Sequence, residues 1–182
     1  KERGEIMKRK DRILSKKIAE WCVFTLKRYE QKVLIEGKRK DSPIIITLHG
    51  GPGTPIPFSV GCRGLFPAFT DIFIMVYWDQ LGSGINNYVI DDTFSIDSFV
   101  QMTEELVAQI KKNFPNNKVM IFSTSWGSIL STKLLERNPH AVDAVIACGQ
   151  IVKNVFICDE VKNTLCKSGI PKKKLDRINN VT

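Results

Sequence analysis

From Pro43 onward the chain alternates short apolar runs with amphipathic stretches. Ile44-Ile45-Ile46-Thr47-Leu48 is a continuous β-branched run, the pattern of a strand buried on both faces of a parallel sheet. Phe73 to Trp78 repeats it, and Val119-Met120-Ile121-Phe122 and Val142 to Ala147 predict two further strands. Residues 95–114 predict a helix, because Ile96, Phe99, Val100, Leu106, Val107, Ile110 and Phe114 share one face. Ser95 can cap its start, Lys111 and Lys112 suit its negative end, and Pro115 stops it. A second helix is expected over 126–137, finishing at Asn138-Pro139. This rhythm implies an α/β fold: a mostly parallel sheet with right-handed crossovers and helices on both faces. Upstream, Glu30 to Gly37 alternate around Val33 and Ile35 as a strand would, whereas Ile13, Leu14, Ile18, Trp21 and Cys22 have near-helical spacing over residues 13–26. Beyond Gly149 the pattern softens into Lys-rich sequence with helical character over 159–166 and 171–178.

Charge changes this picture only at the start. The net charge is +8, and all of it lies in residues 1–40, while residues 41–182 are balanced. The basicity therefore belongs to a leader, expected over residues 1–30 as a solvated, partly helical arm, and does not mark the globular part as a nucleic-acid binder. The core is expected over 31–150 and a further segment over 151–182. Met7-Lys8-Arg9-Lys10 reads as a more natural beginning than Lys1, so residues 1–6 are expected to be translated upstream DNA. The five cysteines, Cys22, Cys62, Cys148, Cys158 and Cys166, are odd in number and contain no CxxC pair, which fits reduced thiols in a cytoplasmic protein. No apolar run approaches the roughly 20 residues of a membrane span. Two isolated histidines offer no metal cluster, and neither Gly-rich turn has the pattern of a nucleotide loop, so no cofactor is expected.

In an open parallel sheet the functional loops follow the carboxyl ends of the strands. Ser123-Thr124-Ser125-Trp126-Gly127 sits at such a place and matches the G-x-S-x-G nucleophile elbow, with Ser123 in the first small position. A tight strand-to-helix turn there would expose the Ser125 hydroxyl and put the Trp126 N–H at a helix N-terminus, where a developing oxyanion is favoured. Gly127 supplies the second small position. After the first buried strand comes His49-Gly50-Gly51-Pro52-Gly53, whose glycines expose backbone donors and whose proline stiffens the loop. Gly51 N–H is the candidate second oxyanion donor, and His49 is expected to fix the loop by hydrogen bonding. A third turn, Trp78-Asp79-Gln80-Leu81-Gly82-Ser83-Gly84, follows the next strand.

HGGPG, the DQ-x-G-x-G turn and S-W-G-S around Ser125, in this order, resemble the proline iminopeptidase group of α/β-hydrolase-fold enzymes. The resemblance runs from about Val33 to Gly149. It implies the α/β-hydrolase fold, a peptide or acyl substrate, release of an N-terminal residue through an acyl-enzyme on Ser125, and a structural role for Asp79 and Gln80 in the floor of the site. This sequence departs from the family at Ser123, where Gly is usual, and at Leu81, where Arg is frequent.

The chain order in this fold is nucleophile, acid, histidine. After Ser125 stands one histidine, His140, just past the predicted elbow helix and thus at the wrong end of the sheet; Asp143, Asp159 and Asp176 follow no recognisable late strand. No complete triad can be assigned. The resemblance implies that residues 151–182 begin a helical cap, that the fold is cut before its later strands, and that this chain is catalytically silent by itself. Two alternatives stand beside the peptidase: an esterase or amidase using the same Ser125 chemistry, and a non-catalytic binding domain of the same fold. Neither the substrate nor the oligomeric state is legible.

Overall fold

A computed structural model describes residues 18–55, 68–91, 93–152, 163–164 and 166–169. It divides the chain into two compact units, Lys1–Gln150 and Ile151–Thr182, and the sheet belongs to the first. Residues 1–17 of the expected leader, and nearly all of the helical segments expected after residue 158, lie outside the described residues.

The sheet has six strands: β1 (Ile18–Leu26), β2 (Tyr29–Gly37), β3 (Ile44–Leu48), β4 (Ile74–Trp78), β5 (Val119–Thr124) and β6 (Ala144–Cys148). Their order is β1-β2-β4-β3-β5-β6, antiparallel through β1, β2 and β4 and parallel from β4 to β6. Every residue of β3 and β4 is buried, as befits central strands, and the one strongly polar side chain of β3, Thr47, donates its hydroxyl to Val76 O (2.9 Å). The first unit has three helices among its described residues: α1 (Phe69–Ile72), α2 (Ile96–Asn113) and α3 (Trp126–Arg137). The expected parallel α/β arrangement is thus what the molecule adopts.

One expectation fails. Over 18–26 the chain is a strand, not a helix, and the sheet therefore begins inside the span expected for a basic arm. The cause is pairing with β2, from Ile18 opposite Gly37 to Leu26 opposite Tyr29. Ile18, Phe24 and Leu26 point into the core, while Trp21 and Val23 remain about half exposed on the other face. Lys27 (φ 45°) and Arg28 (φ 66°) both adopt the left-handed conformation that a two-residue hairpin turn demands.

The main core lies between one face of the sheet and α2 and α3, with Val100, Met102, Leu106, Ile110 and Leu130 packed on Ile46, Val76 and Ile121. Ser95 closes a capping box at the start of α2: its Oγ accepts from Ser98 N and its own N–H donates to Ser98 Oγ, both at 3.3 Å. Leu34, Ile45, Met75 and Tyr77 form a smaller cluster on the opposite face, where Phe73 at the end of α1 packs against them. An apolar cavity of about 260 Å³ persists there, lined by Phe69, Phe73, Met75, Phe122 and Ile146 among others. Ile146 on β6 is 56% exposed, and β6 alternates exposed and half-buried positions along its length. Among the described residues no helix is long and apolar enough to cross a membrane.

Candidate active site

β3 and β5 are neighbours in parallel register, with Leu48 opposite Ser123. Their two loops therefore leave the sheet side by side at the same level. One carries His49 to Gly53 and the other Ser125.

Ser125 lies between the last residue of β5 and the first of α3 with φ 48° and ψ −116°, a strained conformation for a non-glycine residue. Three bonds hold the turn: its N–H donates to Cys148 O on β6 (3.0 Å), and its carbonyl accepts from Ser128 N–H (2.8 Å) and the Ser128 hydroxyl (2.6 Å). The Ser125 side chain is exposed. Trp126 opens α3, so its N–H has no partner within the helix. The strand–turn–helix context anticipated around this serine is present.

Gly127 is fixed by space. A Cβ there would stand 2.3 Å from Leu48 O and 2.9 Å from His49 O, well inside contact distance, so α3 rests directly on the backbone leaving β3. Ser123 shows why a residue larger than glycine fits the first small position. Its Oγ lies 3.0 Å from Ser131 Oγ, and Ser131 in turn donates to Ser128 O at 3.1 Å; all three serines are buried. The small Ser131 on α3 leaves room for the hydroxyl and satisfies it.

In the neighbouring loop Gly51 has φ 116°, and a Cβ on it would lie 2.7 Å from both Gly53 N and Thr54 N. The Gly51–Pro52 peptide is cis. A Cβ on Gly50 would come 3.3 Å from Ser125 Cβ, so this loop touches the serine.

His49 is 2% exposed and has its ring nitrogens engaged. Nε2 accepts from Gln80 N–H (2.9 Å), which leaves the proton on Nδ1, 2.9 Å from Gly50 O. Burial pushes its pKa below the usual imidazole value, partly opposed by the Gly50 carbonyl. His49 is thus a neutral bracket between its own loop and the β4 turn. Gln80 completes the bracket: its Nε2 donates to His49 O (3.0 Å) and its Oε1 accepts from Trp126 Nε1 (2.9 Å). Asp79, 1% exposed, accepts from Ile85 N–H through Oδ2 (3.0 Å). Leu81, where the resembling family often has Arg, is 2% exposed and packs in the main core. A charged side chain at that place would be displaced from where Leu81 sits.

Asn86 went unremarked in the sequence. It is 1% exposed, donates to Lys32 O (2.9 Å) and Asp79 O (2.6 Å) and accepts from Lys32 N–H (2.7 Å), fastening the β4 turn to β2. An isolated asparagine in a polar loop carries no signal that separates this role from an ordinary turn residue.

Of the other groups considered for acid–base work, Asp159 and Asp176 lie outside the described residues, and Asp143 and His140 are far away. Asp143 Oδ2 accepts from Val119 N–H (2.8 Å) at the start of β5, five residues down the strand from its end, a separation of roughly 17 Å. His140 is exposed and three residues from Asp143, its N–H bonded to Asn138 Oδ1. A cleft of about 430 Å³, lined by Glu20, Cys22, Lys40 and Asn117 among others, also lies at that end, since Asn117 bonds Ser42 O just before β3. Among the described residues no group of three or more His, Cys, Asp or Glu is placed to hold a metal.

The family model described as the alpha/beta hydrolase fold matches residues 43–168. The chain belongs to this family. A Bacillus subtilis protein named a probable aminopeptidase is 29% identical over 126 residues, covering 68% of this chain and 39% of the relative. The proline iminopeptidase of Neisseria gonorrhoeae is 32% identical over 127 residues, covering 68% of this chain and 36% of the enzyme. The crystal structure of a proline iminopeptidase-related protein from Thermus thermophilus superposes with a TM-score of 0.57 at 23% identity, over 71% of this chain and 44% of that one. The α/β hydrolase therefore spans less than half the length of these relatives.

Proposed function

We propose that this α/β hydrolase contributes the nucleophile and oxyanion hole of a serine hydrolase that releases an N-terminal residue, proline foremost, from peptides. The observation that carries the reading is Ser125 itself: an exposed serine held at φ 48° between β5 and α3, against Gly50 of the adjacent loop. Ser125 Oγ attacks the substrate carbonyl carbon, the carbonyl π electrons move onto oxygen, and the Gly51 and Trp126 N–H groups receive that charge. The base that takes the Ser125 Oγ proton returns it to the leaving nitrogen, so collapse expels a neutral amine and leaves an acyl ester on Ser125, which water hydrolyses to free the serine. The peptide preference rests on the names of the similar aminopeptidase and proline iminopeptidases.

Proton transfer requires a base beside Ser125 Oγ. Both ring nitrogens of His49 are engaged, and His140 stands at the opposite end of the sheet. Loss of the histidine from such a triad costs a factor on the order of 10⁶ in kcat, so the 182-residue chain alone is expected to be silent. The test compares this chain with the product of its full reading frame on a proline arylamide and a short acyl ester. The proposal expects arylamide turnover by the full product only, abolished by Ser125→Ala. Turnover of the ester alone would make it an esterase of the same fold, and turnover surviving Ser125→Ala would remove Ser125 from the mechanism.

A further inference from the structure

Three separate stretches of chain meet at the side chain of Gln80. Its backbone N–H donates to His49 Nε2, its Nε2 donates to His49 O, and its Oε1 accepts from the indole of Trp126. His49 leads into the loop that holds Gly51, and Trp126 is the first residue of α3, whose own N–H has no partner within the helix. The two proposed oxyanion donors thus sit on chain segments gripped by opposite ends of one amide. Gln80 is 2% exposed, and Phe99 packs edge-on against the half-buried Trp126 ring (centroids 6.0 Å apart), which holds the indole beside the amide.

We infer that Gln80 is a positioning residue for the oxyanion hole: its amide, bridging His49 O and the Trp126 indole, holds the Gly51 loop and the start of α3 as one unit. The inference rests on the proposed serine chemistry. Only an amide does this as it stands, because one end must donate to a carbonyl while the other accepts from an N–H. An ionised carboxylate accepts at both ends and repels the His49 carbonyl. A protonated one regains the pattern, with O–H donating to His49 O and C=O accepting from Trp126. Gln80→Glu is therefore a variant whose defect should be reversed by a proton.

The titratable groups beside this amide are His49, across it, and Asp79, its chain neighbour; the group of α3 bonded to it is the uncharged Trp126 indole. Wild type measured over the same pH range supplies their contribution, and the comparison is the difference between the two proteins. The experiment records the Trp126 indole N–H resonance, assigned with Trp126→Phe, and the ring-nitrogen shifts of His49 in the full chain. In Gln80→Glu at alkaline pH, where even a buried carboxyl is ionised, the indole resonance should move toward its solvent-exposed position, and lowering the pH should return it. In the full reading-frame product, Gln80→Glu should lower kcat about tenfold or more with KM within about twofold, and acid should narrow the gap to wild type. Trp126→Phe, which removes only the indole donor, should shift kcat the same way by less, and decides the matter if Gln80→Glu does not fold. Unchanged indole and His49 signals in Gln80→Glu overturn the inference, as does a moved indole with unchanged kcat. Absence of Ser125-dependent turnover in wild type overturns the serine hydrolase reading instead, and the two spectra then decide the clamp on their own.

Discussion

Gly127 rests on Leu48: a single added carbon on the glycine would stand 2.3 Å from the leucine carbonyl oxygen. That contact joins the helix after Ser125 to the strand that feeds the neighbouring loop. Gly127→Ala must push α3 off β3 or bend the elbow, and either costs about 3 kcal/mol by the scale of overpacking in close-packed sites. Urea unfolding of the variant should show a lowered midpoint at an unchanged slope. A midpoint equal to wild type would mean that α3 has room the structure does not show.

The Ser123–Ser131 pair makes a separate prediction. The two hydroxyls lie 3.0 Å apart in a buried site. Ser131→Ala deprives Ser123 of its near partner and should cost about 1 kcal/mol, whereas Ser123→Ala with Ser131→Ala should cost less than the two single changes added together. A double-mutant cycle by chemical denaturation reads the coupling directly. Strict additivity would show that the hydroxyls do not interact.

His49 should give the protein an acid-sensitive stability. Its folded pKa is depressed by burial below the usual 6.5, so the ring is neutral in both states above that value and its contribution is then fully present. As the pH falls below 6.5 the unfolded chain takes up the proton first, and stability declines until the folded ring also protonates, at up to about 1.4 kcal/mol per pH unit. His49→Gln should flatten this part of the profile while lowering stability at neutral pH. Denaturation midpoints of both proteins across this range check the sign; parallel profiles would exclude His49 as the cause.

His140 and Asp143 should be dispensable for chemistry. Asp143 is occupied by Val119 N–H at the far end of β5, and His140 sits beside it. His140→Gln and Asp143→Asn are each expected to leave turnover of the full reading-frame product within about twofold of wild type, Asp143→Asn with a loss of stability near 1 kcal/mol. A fall of a hundredfold or more in kcat for either would bring that residue into the proposed chemistry.

Much of this site was legible because its strands are central. Ile44 to Leu48 and Ile74 to Trp78 are buried on both faces, which calls for near-continuous apolar sequence, so their ends, and the loops after them, stand out in the sequence. The capped, one-faced pattern of α2 was equally plain. β1 was not, for two physical reasons. Trp21 and Val23 are apolar residues on its exposed face, which blurs the period of two, and the turn that folds it onto β2 is made by Lys27 and Arg28 where Asn and Gly would have announced a hairpin. The Gln80 bridge spans 31 residues in one direction and 46 in the other. No local pattern encodes a hydrogen bond across such distances.

The register that sets Leu48 beside Ser123 carries a further consequence. Because ladder hydrogen bonds between β3 and β5 fix where the two loops start, the spacing of Gly50 from Ser125 does not depend on whatever chain is placed above them. On the proposed serine chemistry, segments that recognise substrate can be lengthened, exchanged or lost while the loop holding Gly50 and the turn holding Ser125 keep their spacing.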